Sequence, residues 1–133
     1  RAAEGIYPLE LVAPVPRGVL RRYFLKGHGP TNGLVRVKEP VRSLVTFRRI
    51  NFLAEPWPIK VPFDAIFCRN VLIYFDRPTQ KRVLGRLVAQ LKEGGLLFLG
   101  HSESIHGLVS GLTPVGPTIY RRQGAHVRPP ARR

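Results

Sequence analysis

Between residues 63 and 99 an apolar run, a helical stripe and a second apolar run follow one another, and that succession restricts the fold more than any other feature of the chain. Ala65-Ile66-Phe67-Cys68 has the length and composition of a strand buried in a parallel sheet. It breaks into Arg69-Asn70, a charged and an amide residue, where such a strand would end. Asp76 suits a helix N-cap, with Pro78 tolerated in the first turn. Val83, Leu84, Leu87, Val88 and Leu91 then form an apolar stripe at helical spacing, with Lys81, Arg82, Arg86 and Lys92 outside it. Gly94-Gly95 is expected to end the helix, and residues 96–99 to form a second buried strand. Strand, helix and strand over about thirty residues make a βαβ unit with parallel strands. The chain therefore reads as α/β. Ligands of open α/β sheets bind outside the carboxyl ends of strands, which makes Arg69 and Asn70 candidate site residues. A strand-end turn whose Asn satisfies local backbone is the plainer alternative.

Upstream, residues 1–7 read as the end of a helix closing at Gly5, and Pro8, Pro14 and Pro16 keep the next stretch irregular. Val19, Leu20, Tyr23 and Phe24 recur at helical spacing over residues 17–25. The Gly-rich loop 26–33 ends in Asn32-Gly33 before the alternating Leu34-Val-Arg-Val-Lys38, which signals a β-hairpin. Residues 45–50 are β-rich enough for a strand, with Asn51-Phe52 after it, and Trp57 sits between two prolines where it can cover a core edge. Beyond the second buried strand, Gly100-His-Ser-Glu-Ser104 is expected to open a short helix reaching Val109, with Ser102 as its cap and its polar residues near Arg69 and Asn70. Residues 112–115 and 118–122 fit a terminal antiparallel pair around Gly116-Pro117, and residues 123–133 fit a basic disordered tail.

Taken together, FDAIFCRNVLIYFD at 63–76, the Gly-Gly break and LLFLGHSESI at 96–105 closely resemble the CheR family of chemotaxis-receptor glutamate methyltransferases, in the family's order and spacing. The resemblance covers residues 1–122. It implies part of a class I, Rossmann-like methyltransferase sheet with a small antiparallel β-subdomain at about 26–38, and S-adenosylmethionine as cofactor. It places Asn51 and Phe52 against the adenine, Arg69 and Asn70 on the cofactor, and Tyr74 near the reactive methyl group, where its hydroxyl would orient a carboxylate. In many members the hairpin binds the acidic carboxyl-terminal peptide of the receptor. Gly27, Gly29, Gly33 and Arg36 match that loop and strand, while Lys26 stands where Arg is frequent and loses the bidentate fork. The implied partners are methyl-accepting chemotaxis receptors, through their cytoplasmic helices and that peptide. The family's first glycine loop and ribose-binding acid would lie upstream of Arg1, so the chain reads as the C-terminal part of the catalytic domain with half its cofactor site. In the usual class I strand order the strand at Val45 would then lack its neighbour, and the central strand would have one bare edge, a pairing hazard.

Composition narrows the alternatives. A chain of 133 residues that is 44% hydrophobic can form one modest core. One cysteine excludes an internal disulfide, and four scattered histidines propose no metal site. No run approaches the length of a membrane span and no signal peptide opens the chain, so a cytoplasmic protein without membrane insertion is expected. The net charge of +14 favours acidic partners, yet no nucleic-acid recognition motif accompanies it, and a nucleic-acid partner is not expected. The competing reading is a non-enzymatic module that binds acidic receptor peptides through residues 26–36.

Overall fold

Local signals shape the first part of the chain. A computed structural model describes residues 2–101, 103, 105 and 107–124, in two compact units, Arg1–Arg49 and Ile50–Arg133. In the first unit a 3-10 turn at Ala2–Glu4 is closed by Gly5, and strand β1 follows at Ile6–Pro8. A strand was not expected there, because Pro8 removes a donor. It is tolerated since β1 lies at a sheet edge. A 3-10 turn at Leu9–Val12 leads to helix α1, Arg17–Tyr23. The helix stops short of the expected Leu25, as Phe24 turns extended and opens β2, Phe24–Lys26. Strand β3, Leu34–Val37, pairs antiparallel with both β1 and β2, so the order is β1-β3-β2, and the short helix α2, Glu39–Arg42, follows. Among the described residues of this unit the buried side chains are those of Val12 and Val35, with Gly5 buried beside them.

The expected hairpin is thus present, but its turn is longer than an Asn-Gly hairpin requires. Residues 27–33 connect the strands through a 3-10 turn at Gly29–Thr31. Asn32 is extended (φ −56°, ψ 141°) and Gly33 takes φ 82°, the pattern of a type II turn.

Residues 45–50 form no strand. Their β-rich composition is not enough, because a ladder needs a partner and none of the described strands pairs with them. Val45 and Phe47 stay more than half exposed.

The second unit holds the core. Strand β4, Phe63–Cys68, runs parallel to β5, Leu91–Leu99, with helix α3, Arg77–Ala89, between them in sequence. Strands β6, Leu112–Gly116, and β7, Ile119–Arg122, form the expected antiparallel pair, and the sheet order is β4-β5-β7-β6. Asp76 caps α3 by accepting the Thr79 N–H at 2.9 Å, and that bond holds its carboxyl below the ordinary range. Val83, Leu84, Leu91 and Leu97 are wholly buried, and each burial contributes about 1.5–3 kcal/mol. Cys68, Leu72, Leu87, Leu99, Ile105 and Leu108 complete the cluster, with Trp57 packed at its edge as expected.

Three expectations change here. β4 is not covered on both faces, and among the described strands it lies at the edge of the sheet with β5 as its neighbour. Only Cys68 is buried, and Phe67 is 70% exposed, stacked on its cross-strand neighbour Phe98 at 4.3 Å. Helix α3 ends before Gly94-Gly95: Phe63 donates to Gln90 O at 2.7 Å and pairs with Leu91, which pulls residues 91–95 into β5. The two glycines lie where the register slips between Phe63 and Ala65. Finally, no described residue between 100 and 111 is helical, and the Ser102 cap lies outside the described residues. Gln123 is tied back through its N–H to Gly111 O and its amide to Thr113, each at 2.8 Å; residues 125–133 of the expected tail lie outside the described residues. Among the described residues no helix is long and apolar enough to cross a membrane.

Candidate functional site

The carboxyl end of β4 opens into a turn in which the N–H groups of Asn70, Val71, Leu72, Tyr74 and Phe75 are all bonded. After Cys68 the chain exposes Arg69 and Asn70, and Asn70 takes φ 57°, a left-handed conformation that Asn tolerates better than most residues. Leu72–Tyr74 then forms a 3-10 turn. The buried carboxylate of Glu103 receives the turn: Oε2 accepts the N–H of Asn70 at 3.2 Å and of Gly100 at 2.6 Å, and Oε1 accepts those of Val71 at 2.9 Å and Leu72 at 2.8 Å. Gln80, on α3, donates to the carbonyls of Leu72 at 2.9 Å and Phe75 at 3.0 Å.

Glu103 is 6% exposed, the one buried charged residue among those described. Burial alone would raise its pKa, but the N–H groups of Gly100, Leu72, Val71 and Asn70 outweigh it and hold the carboxyl below the ordinary range. Gly100 is required by space: a Cβ there would lie 2.8 Å from both Asn70 Oδ1 and Glu103 Oε2. The Cys68 thiol is pushed up to about 11, by burial and then by the Glu103 charge, so it is a protonated structural thiol at neutral pH.

Asn51 and Phe52 are held differently. Asn51 is exposed, and its Oδ1 accepts the Leu53 N–H at 2.9 Å, so the residue shapes its own turn. Phe52 is half-buried and meets Trp57 edge-on at 5.5 Å. Arg86, expected on the outer face of α3, instead folds over this segment. Its Nη1 donates to the carbonyls of Phe52 at 2.7 Å and Ala54 at 3.1 Å, its Nη2 pairs with Glu55, and its guanidinium lies 5.9 Å from the Trp57 ring centre. Backbone carbonyls 32 and 34 residues away draw it inward. Phe52, Trp57, Ile66, Phe67, Cys68 and Val71 are among the residues lining a cavity of about 210 Å³. Among the described residues the buried Trp57 Nε1–H finds no hydrogen-bond partner.

Tyr74, at the end of its 3-10 turn, is 80% exposed. In the other unit, Gly27 is demanded by close approach, since a Cβ would lie 2.0 Å from Thr31 O. Gly29 and Gly33 both have positive φ in the loop, so all three matched glycines have a backbone reason to be there. Thr31 Oγ1 accepts the His28 N–H at 3.2 Å and donates to its carbonyl at 2.9 Å. Lys26 pairs with Val35, and its neighbour Leu25 pairs with Arg36. Lys26 and Arg36 therefore project from opposite faces of the sheet rather than side by side.

Glu103, Gln80 and Arg86 are absent from the sequence-derived site set. Glu103 lay in a stretch already expected near Arg69 and Asn70, yet its role depends on partners 31–33 residues away that no local pattern marks. Among the described residues no cluster of three or more His, Cys, Asp or Glu could hold a metal.

Residues 1–120 match the family model described as CheR methyltransferase, SAM binding domain. The chain is 50% identical over 119 residues to chemotaxis protein methyltransferase 2 of Pseudomonas aeruginosa, covering 90% of this chain and 42% of that protein. It is 47% identical over 120 residues to the chemotaxis protein methyltransferase of Escherichia coli, with the same two coverages of 90% and 42%. The one from Borreliella burgdorferi is 34% identical over 121 residues, 91% of this chain and 41% of the relative. The chain thus spans about two fifths of the length of these relatives.

Proposed function

The chain belongs to the CheR methyltransferase family, whose cofactor is S-adenosylmethionine, and from that premise we propose that it takes part in methylating glutamate side chains of chemotaxis receptors in the cytoplasm. The observation that carries the reading is an aromatic-walled cavity that runs along β4, lined from Phe63 to Cys68, and meets the polar turn 69–74 at Val71. The lining suits the cofactor. Phe52 and Trp57 offer apolar surface to an adenine, and Arg69 and Asn70, outside the cavity lining, are exposed polar groups on the adjoining turn.

When bound, S-adenosylmethionine supplies a methyl group activated on a sulfonium. The receptor glutamate is ionised at pH 7, so no side chain of the protein has to remove a proton. What remains is orientation and exclusion of water. Asn51, Phe52, Arg69 and Asn70 bind and orient the cofactor, and the Tyr74 hydroxyl, open to an incoming side chain, orients the carboxylate. Since the chain spans two fifths of its relatives' length, these residues are proposed as a share of the site.

The hairpin is proposed to capture the acidic carboxyl-terminal peptide of the receptor through Lys26, Gly27, Gly29, Gly33 and Arg36. β2 is an edge strand, so an extended peptide can add to it, with the two cations flanking its acidic groups from either face. That edge also favours a second reading, a module that binds the peptide alone.

Titration of the ¹⁵N-labelled chain with S-adenosylmethionine should shift the amide resonances of Asn51, Phe52, Arg69 and Asn70. Resonances that stay fixed at saturating cofactor, beside an acidic peptide that shifts Lys26 and Arg36, would leave only the second reading. Transfer of labelled methyl groups to receptor glutamates then tests the reaction itself, and unlabelled receptor in the presence of bound cofactor would refute it.

A further inference from the structure

We propose that Glu103 is a positioning residue of the cofactor site, its carboxylate fixing the turn that carries Arg69, Asn70 and Tyr74. The inference deepens the reading above and rests on the turn belonging to that site. β4 and β5 end side by side, with Cys68 paired to Leu99, so residues 69–72 and 100 leave adjacent strands together. Two segments that leave a sheet in parallel have no ladder left to hold their N–H groups, and in the interior unpaired donors are costly. Glu103 supplies both. One oxygen bridges Gly100 and Asn70, and the other takes Val71 and Leu72. Its own N–H donates to Gly100 O at 3.1 Å, which closes the 100–103 turn and brings the carboxylate back to the strand ends.

This arrangement also excludes a chemical role for Glu103. Two carboxylate oxygens have about four acceptor positions, and four N–H groups occupy them. No lone pair is left to take a proton from a substrate or to hold a cation. The missing side chain at Gly100 is part of the same device, since any Cβ there would crowd both Asn70 Oδ1 and Glu103 Oε2 at 2.8 Å.

Glu103→Gln keeps the size but turns one oxygen into a donor that faces N–H groups. Amide exchange at Asn70, Val71 and Leu72 should quicken by about 10- to 100-fold, the usual worth of hydrogen bonds to a charged acceptor. The S-adenosylmethionine concentration that half-saturates the resonance shifts should rise by about tenfold or more, from misplacement of the contacts. Val83→Ala serves as the comparison: it weakens the same core and should lower stability without changing half-saturation of the folded molecules. Unchanged exchange in Glu103→Gln overturns the anchor, and loosened amides with unchanged half-saturation overturn the positioning role. Should Glu103→Gln fail to fold, the unsubstituted chain decides. Through-bond couplings from the four amide nitrogens to Glu103 Cδ must be present, and S-adenosylmethionine must shift those amides together with that of Arg69. Absence of either result overturns the proposal. Couplings present in a chain that shows no cofactor shifts anywhere would overturn the function proposed above, leaving Glu103 as an anchor of the fold alone.

Discussion

The loop between β2 and β3 and the turn after β4 both present residues proposed to meet a ligand, yet they are held by opposite means. The loop closes on itself. Thr31 bonds the residue three positions before it, Asn32 Oδ1 accepts the next N–H at 3.1 Å, and Gly27 lets the Thr31 carbonyl approach. The turn is closed from elsewhere in the chain, by a carboxylate 31–33 residues on and by Gln80 from the following helix. A self-closed loop can change residue by residue without disturbing its surroundings. A turn closed from a distance ties the placement of its side chains to the packing of the whole unit, which suits a site that must hold a reactive group still.

The contrast is broken most directly by Glu103→Ala. Four N–H groups lose their acceptor, and since each buried unsatisfied donor costs about 1–3 kcal/mol, a loss of about 3 kcal/mol or more is expected. Trp57, the only tryptophan in the chain, reports it by fluorescence during denaturant unfolding. A midpoint within error of the unsubstituted chain would mean that the carboxylate does not hold the turn.

Acid removes the same interactions gradually. The folded-state pKa of Glu103 lies below its unfolded value, so its stabilisation is complete above the unfolded value and is lost as pH falls through the folded one. Unfolding followed at Trp57 should therefore become easier below the ordinary glutamate range, and Glu103→Gln should flatten that dependence. Asp76 shifts in the same direction, so Asp76→Asn, which can still cap α3, separates the two contributions.

In the loop the largest effect expected is that of Gly27→Ala. Its methyl would sit 2.0 Å from a backbone oxygen, and crowding of this kind costs about 1–3 kcal/mol. The amides of Phe24–Lys26 and Leu34–Val37 should move, and unchanged amide spectra would show that the loop yields. Smallest of all, Thr31→Val keeps the shape and deletes an exposed hydroxyl with two local bonds, at about 0.5–1 kcal/mol. If Thr31→Val proved as damaging as Glu103→Ala, the distinction between the two kinds of closure would fail.

What the sequence disclosed follows the same division. The Asp76 cap, the stripe from Val83 to Leu87, the alternation of residues 34–37 and the antiparallel pair at the end are signals contained within a few residues, and each appears as expected. The errors lie where a partner decides. Residues 45–50 have strand composition but no strand to pair with, and α3 stops at Ala89 because Leu91 is claimed by Phe63. In the proposed site, Arg69 and Asn70 stand out locally as polar residues at a strand end, whereas Phe52 is assigned to it only through the family resemblance. Arg86 could not be placed from its own neighbourhood, because a charged residue beside an apolar stripe reads as solvated until carbonyls 32 and 34 residues away are seen to receive it.

Cys68 turns the proposed turn into something that can be timed. Buried, with its thiol pushed up to about 11, the single cysteine should resist alkylation at neutral pH while the strand end stays shut. It also directly precedes Arg69. Its rate of reaction with a thiol reagent is thus a clock for opening of the site, readable by mass without any label introduced into the chain.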